Sequence, residues 1–395
     1  MPYLLNQVLT AVATPPIADV HRWLEGRRSS HALLDVAQAV PVEPPPLPLR
    51  QHIARLIERD GQHRYTPIRG LPALTAALAE HMSECYGAPI SDTSVVITAG
   101  CNQAFCTAMN ALLAPGDEVL LPVPYYFNHQ MWLEMVRADI KYVPFSPLTG
   151  GIPPLEVFAR LLSARTRAIV VVSPNNPTGA VYPSELLEGL YNLARDNGIA
   201  LVLDETYKDF HPEAGAPHGL FARADWPDVL VQIFSFSKSY SLTGYRLGSL
   251  IAGPDLVEQV TKVQDCISIC APRIAQEAAL YALQHLHGFV AERRAEMGER
   301  IDALRAAFAV AGGSARAGRF SLECAGAWFA YVAHGSSMDG YEAARRLARN
   351  FGVLCVPGQM FGPGQEAYLR FAFANLCAGE MPLLVERLGQ FQESM

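Results

Sequence analysis

The sequence has no apolar run of the roughly 18 residues that a membrane-spanning helix needs. It is also poor in charge: Asp, Glu, Lys and Arg make up 17% of 395 residues, with a net charge of −7. Without a basic excess there is no electrostatic footprint for nucleic acid or for an anionic membrane surface, and neither is expected as a partner. The opening stretch Met1–Trp23 lacks a basic start followed by an apolar core, so no secretory signal is expected. Eight cysteines form no C-x-x-C pair and have no histidine at zinc spacing. Neither a disulfide framework nor a metal site is expected from them, and free thiols in a reducing cytoplasm fit the pattern. There are no internal repeats, and no low-complexity segment beyond the proline run Pro41–Pro48.

What is present is apolar material, 50% of the chain, enough for two packed domains. Residues 1–45 read as an arm with little core of its own, ending in the extended proline run. Helical spacing is expected from Leu49 to Asp60 and from Ala73 to Tyr86. From Ser94 the rhythm alternates between strand and helix. Val95–Thr98, Glu118–Pro122, Ala168–Val172, Ile199–Leu203 and Val229–Phe234 read as strands, and Gln103–Leu113 as a helix. Continuous apolar strands alternating with helices predict an α/β fold, a mostly parallel sheet covered on both faces. From about 288 a charged helix (Phe289–Ala311) precedes strands at Phe320–Glu323, Trp328–Val332 and Tyr368–Phe373 and a helix at Tyr341–Asn350. The expected organisation is an arm at 1–45 that helps complete a small α+β domain at 288–395, with a large domain at 46–287 between them.

Ligands of parallel sheets bind beyond the carboxyl ends of the strands, and the polar residues of interest fall there. The run Val231–Gly248 carries Ser235, Ser237, Lys238 and Arg246. Hydroxyls and a guanidinium suit a dianionic phosphate, and a lysine at the mouth of a buried strand suits a Schiff base with pyridoxal phosphate. The bland alternative is a solvated serine-rich loop. Asp204 ends another strand; it serves either as a structural ion pair or cap, or as the partner of a pyridinium nitrogen. That partnership keeps the ring an electron sink. Tyr207 could donate to the phenolic oxygen of such a ring, and Asn176, in the turn Ser173–Gly179, could face the same oxygen. Gly100 leads into a helix whose N-terminal amides form an anion site. Tyr126 is either a stacking partner for the ring or an ordinary buried tyrosine. Arg370 is the lone charge in Tyr368–Phe373; a structural salt bridge or a substrate carboxylate would satisfy it.

Together these residues resemble the class I/II aminotransferases of the fold-type I pyridoxal-phosphate enzymes. The likeness is carried by Tyr65–Gly70, Ala99–Phe105, Asn175–Gly179, Asp204–Tyr207, Ser235–Gly248 and Tyr368–Arg370. It implies a seven-stranded-type sheet and transamination between an amino acid and a 2-oxo acid. It implies Lys238 as Schiff-base lysine and proton shuttle, with Asp204 on the pyridine nitrogen. Asn176 and Tyr207 would take the phenolic oxygen, and Tyr126 would stack. The amides of Cys101 and Asn102, with Ser235, Ser237 and Arg246, would hold the phosphate, and Arg370 the substrate carboxylate. Tyr65 matches a tyrosine that reaches the neighbouring subunit's phosphate, which implies a homodimer. Two departures lie where substrate choice is made. Asp35–Pro41 has Ala39 and Val40 lining the substrate side where relatives often carry glycine, and Ala325-Gly326-Ala327-Trp328 lacks a preceding proline. No second arginine for a dicarboxylate is evident, Arg27, Arg28 and Arg273 being unplaced, while Tyr125, Phe127 and Trp328 hint at an apolar pocket. The same motifs would serve β- or γ-elimination, cyclisation or oxidation of an amino acid. A ligand-sensing regulator would need a DNA-binding module, which residues 1–45 are too short and proline-rich to supply.

Overall fold

A computed structural model describes residues 3–27, 29–146, 149–312 and 319–395, with the side chains of 311 and 312 left out. Strand β1 (Leu34–Asp35) lies in the N-terminal stretch. The next seven are β2 (Val95–Thr98), β3 (Glu118–Pro122), β4 (Asp139–Val143), β5 (Thr166–Val172), β6 (Ala200–Asp204), β7 (Leu230–Ser235) and β8 (Gly248–Ile251). They form one seven-stranded sheet in the order β2-β8-β7-β6-β5-β3-β4. Only β8 runs against its neighbours. The remaining strands are β9 (Ser321–Gly326), β10 (Phe329–Ala333), β11 (Val353–Leu354), β12 (Val356–Pro357) and β13 (Tyr368–Phe371). Four of these make an antiparallel sheet, β12-β13-β10-β9, while β11 pairs with β1 in parallel.

The central strands are largely apolar because helices cover both faces. Every residue of β6 and β7 is buried. The two faces belong to separate apolar clusters: Leu201 and Leu203 join one, Ala200 and Val202 the other. The alternating side chains of a strand produce that split. Helix boundaries follow local chemistry. Pro72–Tyr86 starts with proline in its first turn and stops at Gly87, which adopts φ +62°, the common C-terminal arrangement. The helix Gly340–Arg346 begins where Asp339 accepts a hydrogen bond from Glu342 N, which meets an orphaned amide.

Two strands of the large sheet depart from the sequence expectations. β4 was not anticipated, because Asp139 and Lys141 interrupt its apolar pattern at the sheet edge, where one side meets water. Nor was β8, whose Gly248 and Ser249 read as part of a phosphate loop. The N-terminal stretch, expected as an arm with little core of its own that helps complete the small domain, buries Val20, Trp23, Leu34, Val36 and Ala37 among the residues of the small sheet and its helices. Among the described residues, no helix is long and apolar enough to cross a membrane.

Candidate active site

The carboxyl ends of β2, β5, β6 and β7 converge on a cavity of about 450 Å³ that the small sheet and the N-terminal stretch close from the other side. Asp204, the last residue of β6, is 4% exposed. Its Oδ1 accepts from Thr206 N at 2.9 Å and lies 3.6 Å from Cys101 Sγ. Its Oδ2 lies 3.3 Å from Nε2 of His129. No lysine or arginine pairs with it among the described residues. A buried carboxylate without a full cationic partner can receive one. Directly after it, Glu205 anchors the strand from below. It accepts from Gln232 Nε2 at 3.0 Å and from Tyr86 OH, and faces His218 Nε2 at 3.4 Å. Burial opposes ionisation of Glu205, but His218, Tyr86 and Gln232 outweigh it and hold the carboxyl below its ordinary range.

Ser235 closes β7, and its hydroxyl accepts from Ser237 N at 3.2 Å, opening the one-turn helix Phe236–Ser239 that carries Lys238. Loss of water, followed by the charges of Arg370 and Arg246, pushes the Lys238 ammonium down to about 7. Its Nζ donates to Ala39 O and lies 5.2 Å from the centre of the Trp328 ring. A buried ion pair, Lys208 with Asp209, lies behind this helix, and Asp209 accepts from Ser239 Oγ.

Across the cavity the helix Cys101–Leu112 points its N-terminus inward. The first-turn amides of any helix lack intrahelical acceptors, so those of Cys101 and Asn102 are available to an anion. Arg246 lies against this turn. It adopts φ +53°, a conformation that costs a non-glycine residue on the order of 1 kcal/mol. Gly100 adopts φ +89°, and a Cβ there would lie 2.4 Å from Arg246 Nη2. Glycine is therefore required for the guanidinium and the helix N-terminus to share one cradle. Tyr126 donates to Asn102 Oδ1 at 3.4 Å and meets His129 edge-on. Burial raises the Tyr126 hydroxyl to about 12.

The opposite wall holds Arg370, 2% exposed, between the rings of Phe329 and Phe361. Its Nη1 donates to Asn176 Oδ1 at 3.1 Å, and its Nη2 to Ala37 O. Its Nε has no hydrogen-bond partner among the described residues. Burial lowers Arg370 to about 10, so it stays charged at neutral pH. Tyr207 packs edge-on against Phe329 and lines the cavity.

Of the residues singled out in the sequence, the cavity brings together Lys238, Asp204, Tyr207, Cys101, Asn102, Tyr126, Asn176, Ser235, Ser237, Arg246, Arg370, Ala39 and Val40. Gly100 supports it from behind. Tyr65 is not brought in: it is 75% exposed on this chain. Tyr125 stacks on Tyr142 away from the cavity, and Trp328 borders a neighbouring small hollow next to Lys238. Arg27 donates to His31 O and Arg273 faces Glu277, so neither lines the site. Arg28 lies outside the described residues. Sequence reasoning missed His129, which stacks on Phe105 with ring centres 3.9 Å apart while facing Asp204. Its proximity to Tyr126 was the only available signal. Pro15, Ile17 and Asn128, also in the lining, were missed too.

Residues 37–388 match the family described as aminotransferase class I and II. The chain is 30% identical to the aspartate aminotransferase of Thermotoga maritima, over 87% of both proteins. It is 31% identical to the aromatic aminotransferase ISS1 of Arabidopsis thaliana, over 90% of this chain and 88% of that one. The solved structure of Thermus thermophilus aspartate aminotransferase with maleate superposes with a TM-score of 0.89 at 28% identity, covering 99% of this chain and 100% of that one. The chain therefore belongs to the class I and II aminotransferases, pyridoxal-phosphate enzymes that move an amino group between an amino acid and a 2-oxo acid.

Proposed function

We propose that this aminotransferase takes amino acids with uncharged side chains, and that the residues of the cavity divide the work as follows. The cavity fits pyridoxal phosphate. The cradle of Gly100, the Cys101 and Asn102 amides and Arg246 matches a phosphate, and Ser235 and Ser237 add hydroxyls to it. Asp204 would pair with a pyridinium nitrogen, and Tyr207 and Asn176 would serve a phenolic oxygen. Tyr126 supplies a stacking face. When bound, the cofactor supplies an electron sink for the carbanion left by loss of the Cα proton. Lys238, with its ammonium lowered to about 7, is neutral in a large fraction at physiological pH. Its Nζ can hold the cofactor covalently, accept the Cα proton and return it. Arg370 offers its planar fork to the α-carboxylate, and exchanges Ala37 O for a charged acceptor that binds more strongly.

The observation that carries the substrate reading is the charge content of the lining. Its cations are Lys238, Arg246 and Arg370. Each has a task above, so among the described lining residues none remains for a second carboxylate. Asp204 is the lining's acid, and it has its own task, which disfavours basic side chains too. Pro15, Ile17, Ala39, Val40 and Phe127 offer apolar surface instead. The test is the donor half-reaction, followed as loss of the bound cofactor's visible absorbance. Neutral donors should react at least about tenfold more efficiently than aspartate or glutamate, the scale of one unpaired buried charge. Preference for an acidic donor would overturn the reading.

We further propose a homodimer that completes each site with Tyr65 from the partner. The exposed Tyr65 and the exposed apolar residues Tyr3, Leu4, Leu5 and Leu9 support this reading. Mixing a Tyr65→Phe chain with a chain inactivated at Lys238 tests it. Activity recovered by the mixture relative to either parent would follow the shared-site arrangement. The free cysteines support a cytoplasmic location. We take residues 46–287 as the cofactor domain, 288–395 as the small domain and 1–45 as the arm that completes it.

A further inference from the structure

The wall that faces Lys238 is an irregular stretch, Val36–Val40, and its backbone groups are divided between two directions. Ala37 O accepts from Arg370 Nη2, and Ala39 O accepts from Lys238 Nζ. Two other carbonyls point elsewhere. Asp35 O and Gln38 O both accept from Nδ2 of Asn375, at 3.0 and 2.6 Å. Val40 N donates to Oδ1 of Asn375 at 3.0 Å. One amide side chain thus satisfies three backbone groups of a loop that has no ladder beyond Val36. An amide carries two donors and an acceptor; a carboxylate supplies no donor, and a serine hydroxyl supplies one. Asn375 does not line the cavity. It ends the turn Phe373–Asn375, which follows directly from the strand that carries Arg370.

The neighbouring bonds hold the two ends of the loop. Val36 N donates to Leu354 O at 2.9 Å, and Ala372 N donates to Val36 O at 2.7 Å. Beyond Val40, Glu43 accepts from Arg300 Nη2 at 2.6 Å and faces Arg293 at 3.1 Å. Arg300 also donates to Ala374 O at 2.6 Å, next to Asn375. Between these two ends the loop is held by Asn375 and by the Asp35 carboxylate, which accepts from Ala37 N at 3.1 Å.

We propose that Asn375 is a positioning residue for substrate recognition. It keeps the Ala37 carbonyl on Arg370 and the Ala39 carbonyl on Lys238, and so sets the clearance into which the substrate α-carboxylate enters. This rests on Arg370 as the carboxylate anchor. When Asn375 is removed, Asp35 O, Gln38 O and Val40 N lose their shared partner. The loop is then free to shift relative to Lys238 and Arg370, which bond its Ala39 and Ala37 carbonyls. The cost falls on substrate entry and much less on proton transfer.

The test compares Asn375→Ala and the near-isosteric Asn375→Asp with Tyr331→Phe in the holoenzyme. Asn375→Asp keeps the acceptor for Val40 N but has no donor for the two carbonyls. Tyr331→Phe removes a buried bond to Gln365 in the same unit. Both Asn375 variants should raise KM for the amino donor about tenfold, the scale of one or two lost hydrogen bonds. The limiting half-reaction rate should change less than about threefold, and cofactor retention and absorbance should be unchanged. Tyr331→Phe should lower the Tm without moving KM. Wild-type KM in both Asn375 variants would overturn the proposal. So would a parallel loss of kcat and Tm with KM unmoved. If Arg370→Lys leaves KM unchanged, the underlying assignment of Arg370 fails instead.

Discussion

Replacing Lys238 with methionine should stabilise the cofactor-free protein, by an amount that depends on pH. The cavity strips water from the ammonium and faces it with Arg370 and Arg246, which lowers it from 10.5 to about 7. The folded value lies below the unfolded one. Between about pH 7 and 10.4 the unfolded chain therefore holds a proton that the folded chain has released, and stability rises with pH across that window. Below pH 7 both states are protonated and the full penalty applies. The interval from 10.5 to about 7 corresponds to about 5 kcal/mol at most. Because the side chain is only half-buried, access of water reduces this to about 2–3 kcal/mol. Methionine keeps the length of the stem and removes the charge. Denaturant unfolding of the two apoproteins from pH 6 to pH 10 is the assay. The variant should be more stable by a few kcal/mol at pH 6–7, and the margin should narrow by up to about 1.4 kcal/mol per pH unit above pH 7. A margin that does not change with pH, or a less stable variant at pH 6, would refute the reasoning.

Two further outcomes follow from the same geometry. Arg246→Ala should weaken pyridoxal phosphate binding to the apoprotein about 10- to 100-fold, the scale of lost charge-assisted hydrogen bonds; a fluorescence titration with unchanged affinity would count against the cradle. Tyr86→Phe leaves the buried Glu205 one donor short and should cost about 1–3 kcal/mol in unfolding free energy, measured by denaturation, while the donor half-reaction continues.

Much of the large sheet was legible because β5, β6 and β7 are covered on both faces and so carry largely apolar runs. β4 was not legible, since an edge strand tolerates Asp139 and Lys141 and loses the pattern. β8 was hidden because Gly248 serves two purposes: it begins a strand and it closes the turn that carries Arg246. The candidate site was legible for a geometric reason. Parallel strands deliver their carboxyl ends to one side of the sheet, so Asp204, Ser235 and Asn176 could be grouped before any contact was known. Residues that act through contacts distant in sequence left no such trace. His129 reaches Asp204 from a helix after β3, and Asn375 holds a loop 335 residues away. Nothing in the local spacing of either residue announces those partners. The Ala39–Val40 departure from glycine was visible in the sequence, but its consequence was not, because that depends on backbone carbonyls and not on side chains.

The central claim is that Lys238 is the residue that holds the cofactor. The chain has four lysines, Lys141, Lys208, Lys238 and Lys262, so the question has few possible answers. Reduction of the holoenzyme with borohydride, followed by digestion and peptide mass analysis, would mark the attached lysine with a phosphopyridoxyl group. The account predicts the mark on Lys238 alone. A mark on Lys208, buried next to Asp209 behind the same helix, or on either of the other two lysines with Lys238 unmodified, would contradict it.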